Sequence, residues 1–481
     1  MRFIHSIAAL ALAASVAACA DSAEPSSDNE LAFNTSSTGT PGTGRQLVKF
    51  GTSPGSDFAD QVASLGGRVE WTGAGLAALS GLDESDRSTL ATRTDVALII
   101  DDPLISIDQP FAATTPEAVL ADEPQSPAAP QTAFFFARQW HLRTVGANTA
   151  WAAGKLGSSA VTAYILDTGI DYTHADLAGL VTLSKSVDLL GTFNVQANVN
   201  GVPTVVAFTE ADTVAKYFPG RHPSTDLFYH GTHVAATVSS NAFAAAGVAS
   251  QTRLVAVKVC AYLNTCPLSS VLQGVIYAAD NGADVVNMSL GGGFAKAGNG
   301  TYVGLINDVF NFAASKGTTV VVAAGNAAAD LDRNRNVYST YCNAPGVICV
   351  SATGPTASVG VNGPWTNVDA IASYSNTGRS AIDLAAPGGT SAGPVWAACS
   401  RTSLLVPVCQ TGTFIVGLGG TSMASPHVAG TAAMLVPTLG RNPAAIQDRL
   451  KDTADDLGQS GTDPLYGKGR LNVARAVGAA P

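Results

Sequence analysis

The stretch VTAYILDTGIDYTHADL, residues 161–177, decides how the rest of the chain is read. It opens as a mainly apolar run without inside–outside alternation, and the run stops on Asp167 just before a turn at Gly169. A strand with one wet face alternates, whereas a strand covered on both faces does not, and the second habit belongs to parallel sheets. Four further runs of the same kind occur: RLVAVKV (253–259), DVVNMSL (284–290), TVVVAAGN (319–326) and GVICVSAT (346–353). Helical stretches such as LSSVLQGVIYAADNG (268–282) and TYVGLINDVFNFAASKG (301–317) separate them. This alternation predicts an α/β domain of three layers, a parallel sheet flanked by helices. Reactive groups in such sheets gather beyond the carboxyl ends of the strands.

The composition agrees. Of 481 residues only 13% are charged and 49 are glycine, which suits a large, well-buried domain with many tight turns. The net charge is −10 and no Lys/Arg cluster occurs, so nucleic-acid binding has no support. Ahead of the α/β region, residues 46–108 follow a small α+β pattern. RQLVKFG, RVEWTG, GLAALSG and VALIIDDPLISID read as strands, and SDFADQVASLGG and DESDRSTLATRT as helices. Residues 109–134 are rich in Pro and Ala and read as a linker, with the catalytic-type domain at 135–481.

The N-terminus, MRFIHSIAALALAASVAACADS, combines Arg2, a short apolar core and small residues, the pattern of an export signal over 1–18. Its VAAC ending resembles the lipobox of bacterial lipoproteins, which makes Cys19 a candidate for lipidation; ordinary cleavage beside a bystander Cys19 is the alternative. Residues 19–45 are Ser/Thr/Gly/Asn-rich and read as disordered. The other six cysteines fall into three close pairs, Cys260 and Cys266, Cys342 and Cys349, Cys399 and Cys409. Export makes disulfides the expected state. Six cysteines allow 15 connectivities, so local pairing is an inference, and the absence of a C-x-x-C spacing argues against zinc.

Polar residues of catalytic type stand at particular places. Asp167 and, in VVVAAGNAAAD (320–330), Asn326 end strands. His230 in FYHGTHVAATVSS (228–240) and Ser422 in GGTSMASPHVAGTAAML (419–435) open helices. D-T-G, H-G-T-H and G-T-S-M-A-S-P-H in this order resemble the subtilisin-like serine proteases, or subtilases, over about 137–478, including QWHLRTVGANTAW (139–151) and YGKGRLNVARAV (466–477). The resemblance implies a triad of Asp167, His230 and Ser422. His230 takes the serine proton and Asp167 orients the imidazole. Asn326 and the Ser422 N–H become the oxyanion donors. His233 and His427, inside the same motifs, are expected to pack rather than react. Asp171, His174 and Asp176 read as local structure, and His5, His141 and His222 carry no signal.

Two other Gly-Thr-Ser tripeptides compete with Ser422. GTSPG (51–55) and GTSAG (389–393) fit the G-x-S-x-G pattern of serine hydrolases, which the Ser422 segment does not. The first lies where too few strands precede it for a hydrolase sheet, and the second precedes no helix-like run. The first is read as a turn capping the helix at 56–67 and the second as a surface loop.

By the same resemblance, Ser289, Leu290, Gly291 and Gly292 form one wall of a peptide cleft, Gly325 precedes the oxyanion Asn326, and Ser339 in VYSTYCNAPG (337–346) belongs to the floor of the primary pocket. No carboxylate is evident there, so a neutral, apolar or aromatic P1 residue is expected. The extra polar segment at about 190–225 is expected to border the cleft. SSNAFAAAGVAS (239–250) is short, which argues against the calcium loop of many relatives. Asp383 matches a second calcium position of some members, although a structural carboxylate is the plainer reading. No cofactor is needed for the chemistry.

The unit at 46–108 resembles the subtilase propeptide, which assists folding and inhibits the active site. The expectations are therefore a secreted endopeptidase acting on protein or peptide substrates, self-processed by a cut within about 109–136, where the 109–134 linker holds the maturation site. Its own propeptide is the intramolecular inhibitor, and the membrane is met only by a lipidated precursor. The competing functions are a peptide ligase or macrocyclase using the same acyl-enzyme, and a catalytically silent binding protein.

Overall fold

The computed structural model describes residues 42–107, 109–111, 113–119, 126–199, 202–334 and 336–479. The signal segment 1–18, the lipidation candidate Cys19 and nearly all of 19–45 lie outside them.

The N-terminal unit runs β1 (Arg45–Phe50), α1 (Phe58–Ser64), β2 (Arg68–Gly73), β3 (Leu76–Ser80), α2 (Glu84–Leu90), β4 (Val96–Asp101), as its pattern predicted. The sheet is antiparallel in the order β2-β3-β1-β4. Period-two geometry gives it two apolar faces. Val48, Ala77 and Leu79 join Phe58, Val62 and Leu90 in the unit's own core, whereas Leu47 and Leu76 face a core that belongs to the larger domain. Structure begins slightly earlier than expected, because Thr43 and Arg45 are already buried. A short β5 (Leu104–Ile105) comes after a break at Asp102–Pro103, and the presumed linker supplies a strand of its own, β6 (Glu117–Ala118).

The larger domain continues with α3 (Trp140–Thr144), α4 (Ala147–Ala152), β7 (Thr162–Asp167), β8 (Val187–Asp188), the hairpin β9 (Thr192–Val199) and β10 (Val202–Thr209), α5 (Glu210–Tyr217) and α6 (His230–Val238). Next come β11 (Arg253–Lys258), β12 (Cys266–Pro267), α7 (Leu268–Asp280), β13 (Val285–Met288), β14 (Gly292–Ala295), α8 (Gly300–Ser315) and β15 (Thr319–Ala323). The chain ends through β16 (Val337–Thr340), β17 (Val347–Thr353), a small hairpin of β18 (Ala357–Ser358) and β19 (Trp365–Thr366), β20 (Leu384–Pro387), β21 (Val395–Ala398), β22 (Phe414–Leu418), α9 (Thr421–Leu439), α10 (Pro443–Asp452) and α11 (Val473–Ala476).

Seven strands form the central parallel sheet, in the order β20-β17-β15-β13-β7-β11-β8. Its inner strands are mainly apolar because each face is covered. In β7, Ala163 and Ile165 enter one core and Tyr164 and Leu166 the other. The pattern repeats in β11, with Leu254 and Ala256 opposite Val255 and Val257. α6 and α9 cover the first face, α7 and α8 the second. The helices that carry His230 and Ser422 therefore share one face. The N-terminal unit covers α7 and α8 on the other, where Lys49 pairs with Asp308 at 2.5 Å and the Tyr302 hydroxyl donates to the Asp101 carbonyl at 2.8 Å.

All three local cysteine pairs are bonded, Cys260–Cys266, Cys342–Cys349 and Cys399–Cys409. Each closes a short loop, and such loops contribute roughly 2–3 kcal/mol each in the chain-entropy account.

Candidate active site

Asp167 ends β7 and His230 opens α6, and the fold brings them together across 63 residues of sequence. The Asp167 Oδ1 accepts from His230 Nδ1 at 2.8 Å and from the Thr168 N–H at 2.8 Å. Both side chains are buried. A carboxylate can only accept, so the His230 proton sits on Nδ1 and Nε2 offers its lone pair. That Nε2 has no hydrogen-bond partner among the described residues.

Ser422 lies at the second position of α9, behind Gly420, whose φ of +147° disfavours any side chain. Its hydroxyl donates to the Ser289 carbonyl at 3.0 Å and not to His230. Catalytic hydrogen bonds are often unformed until substrate binds. Pro426 stands four residues on and has no N–H, which orphans the Ser422 carbonyl. The Ser289 hydroxyl fills that place at 2.7 Å, and the same oxygen lies 2.9 Å from both Asn287 Nδ2 and Ser425 Oγ. Ser289 was expected in the cleft wall. Its side chain instead points inward and holds the nucleophile's helix, while Gly292 is exposed and Gly291 half-buried beside it. Ser289→Ala should lower stability by about 1–3 kcal/mol, the cost of a buried acceptor left unmade. An unchanged denaturation midpoint would mean that the carbonyl has another donor.

Asn326 comes just after β15. Its Oδ1 accepts from the Thr421 N–H at 2.8 Å and the Thr421 hydroxyl at 2.9 Å, which fixes the amide orientation because an N–H must meet the oxygen. The amide nitrogen then lies alongside Gly420. Thr421 also accepts from the Gly325 N–H at 3.0 Å. A side chain at Gly325, with φ of +98°, would run into Asn376. The first N–H groups of a helix lack intrahelical acceptors, and that of Ser422 has none among the described residues. Ser339 is buried on β16, opposite Gly293 of β14.

Below His230 lies a carboxylate that sequence reading missed. Asp226 accepts from Thr168 Oγ1 at 2.9 Å, the Phe228 N–H at 2.9 Å, and the Thr232 N–H and hydroxyl at 2.9 and 2.6 Å. Thr168 accepts in turn from the Gly231 N–H. The network ties the end of β7 to the start of α6. Burial pushes the Asp226 carboxyl up to about 6, against those hydrogen bonds. Its only sequence signal was position, four residues before His230.

His427 and His233 are buried, as expected; His233 Nε2 donates to the Val395 carbonyl at 3.1 Å, and His141 proves to be the partner of His427. The Met423 carbonyl accepts from His427 Nδ1 at 2.8 Å, so His427 Nε2 must accept from His141 Nδ1, also at 2.8 Å. Burial lowers His427 to about 4 and His233 to about 3, and pulls His141 well below its usual value. A histidine whose folded value is depressed stabilises the fold above the unfolded value near 6.5, and that stability is lost as pH falls toward the folded value. The share carried by His427, isolated as the difference in pH dependence from a His427→Gln variant, should fall by about 3 kcal/mol between pH 7 and pH 4. Parallel denaturation curves for the two proteins would contradict this.

The competing serines stand apart. Ser53 is exposed in a turn before α1, and Ser391 is exposed in a turn closed by mutual Thr390–Gly393 hydrogen bonds. Asp171, His174 and Asp176, read as local structure, in fact tie distant segments: Asp171 accepts from the Thr173 and Arg401 N–H groups, His174 Nε2 donates to the Phe414 carbonyl, and Asp176 accepts from the Phe243, Ala244 and Ala245 N–H groups. Asp383 does not fit a cation. Its Oδ1 meets Lys451 Nζ at 2.5 Å and Gln447 at 3.0 Å, and its Oδ2 accepts from the Cys349 N–H. Among the described residues no cluster of three or more His, Cys, Asp or Glu could hold a metal.

The chain's own segment lies along this site. β5 pairs antiparallel with β12, and the Ile107 N–H donates to Asn264. The Gln109 side chain accepts from Tyr229, the neighbour of His230, at 3.0 Å. Phe111 sits so close on Gly419 that a Cβ there would overlap its ring, and Pro110 flanks Gly420. Beyond, Thr114 exchanges hydrogen bonds with Gly417, and β6 adds a third strand to β21 and β22. The described parts of the segment thus lead from the β12 side, past Gly419 and Gly420 just ahead of Ser422, to the β22 side.

A family model described as the subtilase family matches residues 158–469. Thermitase of Thermoactinomyces vulgaris is 32% identical over 351 residues, 72% of this chain and 99% of that protein. An extracellular protease of Xanthomonas campestris is 33% identical over 368 residues, 71% of this chain and 56% of that protein. Among solved structures, the epidermin leader peptide processing serine protease of Staphylococcus aureus aligns with a TM-score of 0.67 at 20% identity, over 90% of this chain and 97% of that one.

Proposed function

The chain belongs to the subtilase family of serine proteases, and from that premise we propose that it is a secreted endopeptidase, made as a zymogen that cuts its own chain between Ile107 and Phe111. Asp167, His230 and Ser422 form the triad, and Asn326 with the Ser422 N–H forms the oxyanion site. The observation that carries the proposal is where residues 104–107 and 109–111 lie. Leu104–Ile105 pair with β12, and Pro110 and Phe111 lie against Gly420 and Gly419, just ahead of Ser422, which fits added-strand recognition of a substrate.

In the reaction, the Ser422 hydroxyl leaves the Ser289 carbonyl and gives its proton to His230 Nε2 as Oγ attacks the peptide carbonyl carbon. Asp167 holds the imidazole and stabilises its charge. The developing oxyanion is met by Asn326 Nδ2 and the Ser422 N–H, aided by the helix dipole. His230 then protonates the leaving amine, and water cleaves the acyl-enzyme by the same steps. A neutral P1 residue is part of the proposal, because the stretches Ser289–Gly292 and Val337–Tyr341 contain no acidic side chain.

Secretion rests on the leader-like N-terminus and the extracellular relative; no helix among the described residues is long and apolar enough to cross a membrane. Lipid on Cys19 would tether the precursor, and the internal cut would break the covalent link between the lipid and the protease. The test is covalent labelling. A fluorophosphonate should modify the purified protein at Ser422 and at neither Ser53 nor Ser391, as read by peptide mass mapping, and residues 42–107 should separate from the catalytic chain on denaturing gels. Labelling at another serine, or a protein that stays uncut, would refute the reading.

A further inference from the structure

The insertion that carries β9 and β10 grips the N-terminal unit at both of its chain ends. At the first end, the Asn194 N–H donates to the Thr43 carbonyl at 2.8 Å. Arg45 extends from β1 into the larger domain. Its Nε and Nη2 donate to the Thr192 carbonyl at 3.0 and 2.7 Å, Nη2 also reaches the Leu190 carbonyl, and Nη1 lies 3.4 Å from Ser270 Oγ. The guanidinium stands 5.8 Å from the Phe193 ring centre and is 4% exposed. At the other end, Leu104 packs into the apolar cluster of Leu190, Phe193, Val195 and Ala261, alongside Val206 and Phe208 of the hairpin. The two ends are neighbours because β1 pairs with β4, Gln46 opposite Asp101. Close approach is built in: a Cβ at Gly44 would strike Asn194, and one at Gly191 would crowd Arg45.

The side-chain acceptors of Arg45 all belong to the larger domain. A buried charge is tolerable only while hydrogen-bonded, so this residue stabilises the joined state and not the isolated unit. Cutting the chain between Ile107 and Phe111 severs none of these contacts. We propose that the β9–β10 insertion is a clasp for the N-terminal unit, with Arg45 as its latch, and that it keeps residues 42–107 bound to the larger domain, their end leading toward the active site, after the cut. The clasp rests on the zymogen reading. The onset of activity is then set by release of the clasp and not by cleavage.

The experiment compares the full chain as wild type, as Arg45→Ala, and with residues 195–206 replaced by Gly-Gly. Three quantities are read: the extent of cutting on denaturing gels, co-elution of the N-terminal fragment in gel filtration, and the lag before hydrolysis of a chromogenic peptide. All three proteins should be cut. The fragment should co-elute with wild type but leave both variants, and the lag should shorten by about 30-fold or more, the range for removing one side of a buried hydrogen-bonded charge. Mature Arg45→Ala enzyme has the wild-type sequence, so its final rate must match. Equal co-elution and equal lag in cut variants would overturn the clasp. So would two uncut variants beside a cut wild type, since the insertion would then serve folding. If wild type itself stays uncut, or Ser422→Ala is cut as well, the zymogen reading fails and the clasp falls with it.

Discussion

Ser422→Ala should leave residues 42–107 joined to the catalytic domain and reduce peptide hydrolysis by about 10⁶-fold, the scale for removing a triad nucleophile. The fold should survive, because among the described residues the hydroxyl's hydrogen bond is to the Ser289 carbonyl alone, and α9 is held independently by Ser289 and by Thr421 with Asn326. A variant that still clears its N-terminal unit would show that another protease makes the cut. A variant that still hydrolyses peptide at a tenth of the wild-type rate would remove Ser422 from the chemistry altogether. The comparison needs freshly purified protein, since trace wild type would dominate the residual rate.

Asp167→Asn should lower kcat by about 10⁴-fold with little change in KM. Asp167 Oδ1 accepts two N–H groups, from His230 and Thr168. An asparagine can set its oxygen there, but it brings no charge to balance the imidazolium that forms during attack. Turned the other way, its amide presents a donor to His230 Nδ1 and forces the proton onto Nε2, where the lone pair is needed. Both arrangements fail at the same step. A loss below about tenfold would mean that Asp167 neither orients nor stabilises the imidazole.

Much of this was legible in the sequence. Two-faced burial writes itself as unbroken apolar runs, and β7, β11, β13, β15 and β17 all fell on such runs. Asp167, Asn326, His230 and Ser422 stood at strand ends and helix starts because this architecture keeps reactive groups there. The three Gly-Thr-Ser tripeptides were separable by context: too few strands precede Ser53 for a hydrolase sheet, no helix-like run follows Ser391, and Ser422 opens a long helix. The reading of 109–134 was less complete. Its Pro and Ala content indicated a linker, yet β6 completes a sheet with β22, because a two-residue strand carries no periodicity of its own.

Sequence alone determined the kind of fold, the order of its motifs and the residue types poised to react, since each is encoded within a few neighbouring residues. Tertiary structure decided the rest. It turned Ser289 from a cleft wall into the donor that replaces the N–H missing at Pro426. It bonded Asp226 to both the end of β7 and the start of α6, made His141 the partner of His427, brought Pro110 and Phe111 against Gly420 and Gly419, and folded the insertion onto Arg45. Every one of these depends on the meeting of groups far apart in the chain. Such encounters are fixed by packing and by the demand that buried polar groups be satisfied, and no local pattern records them.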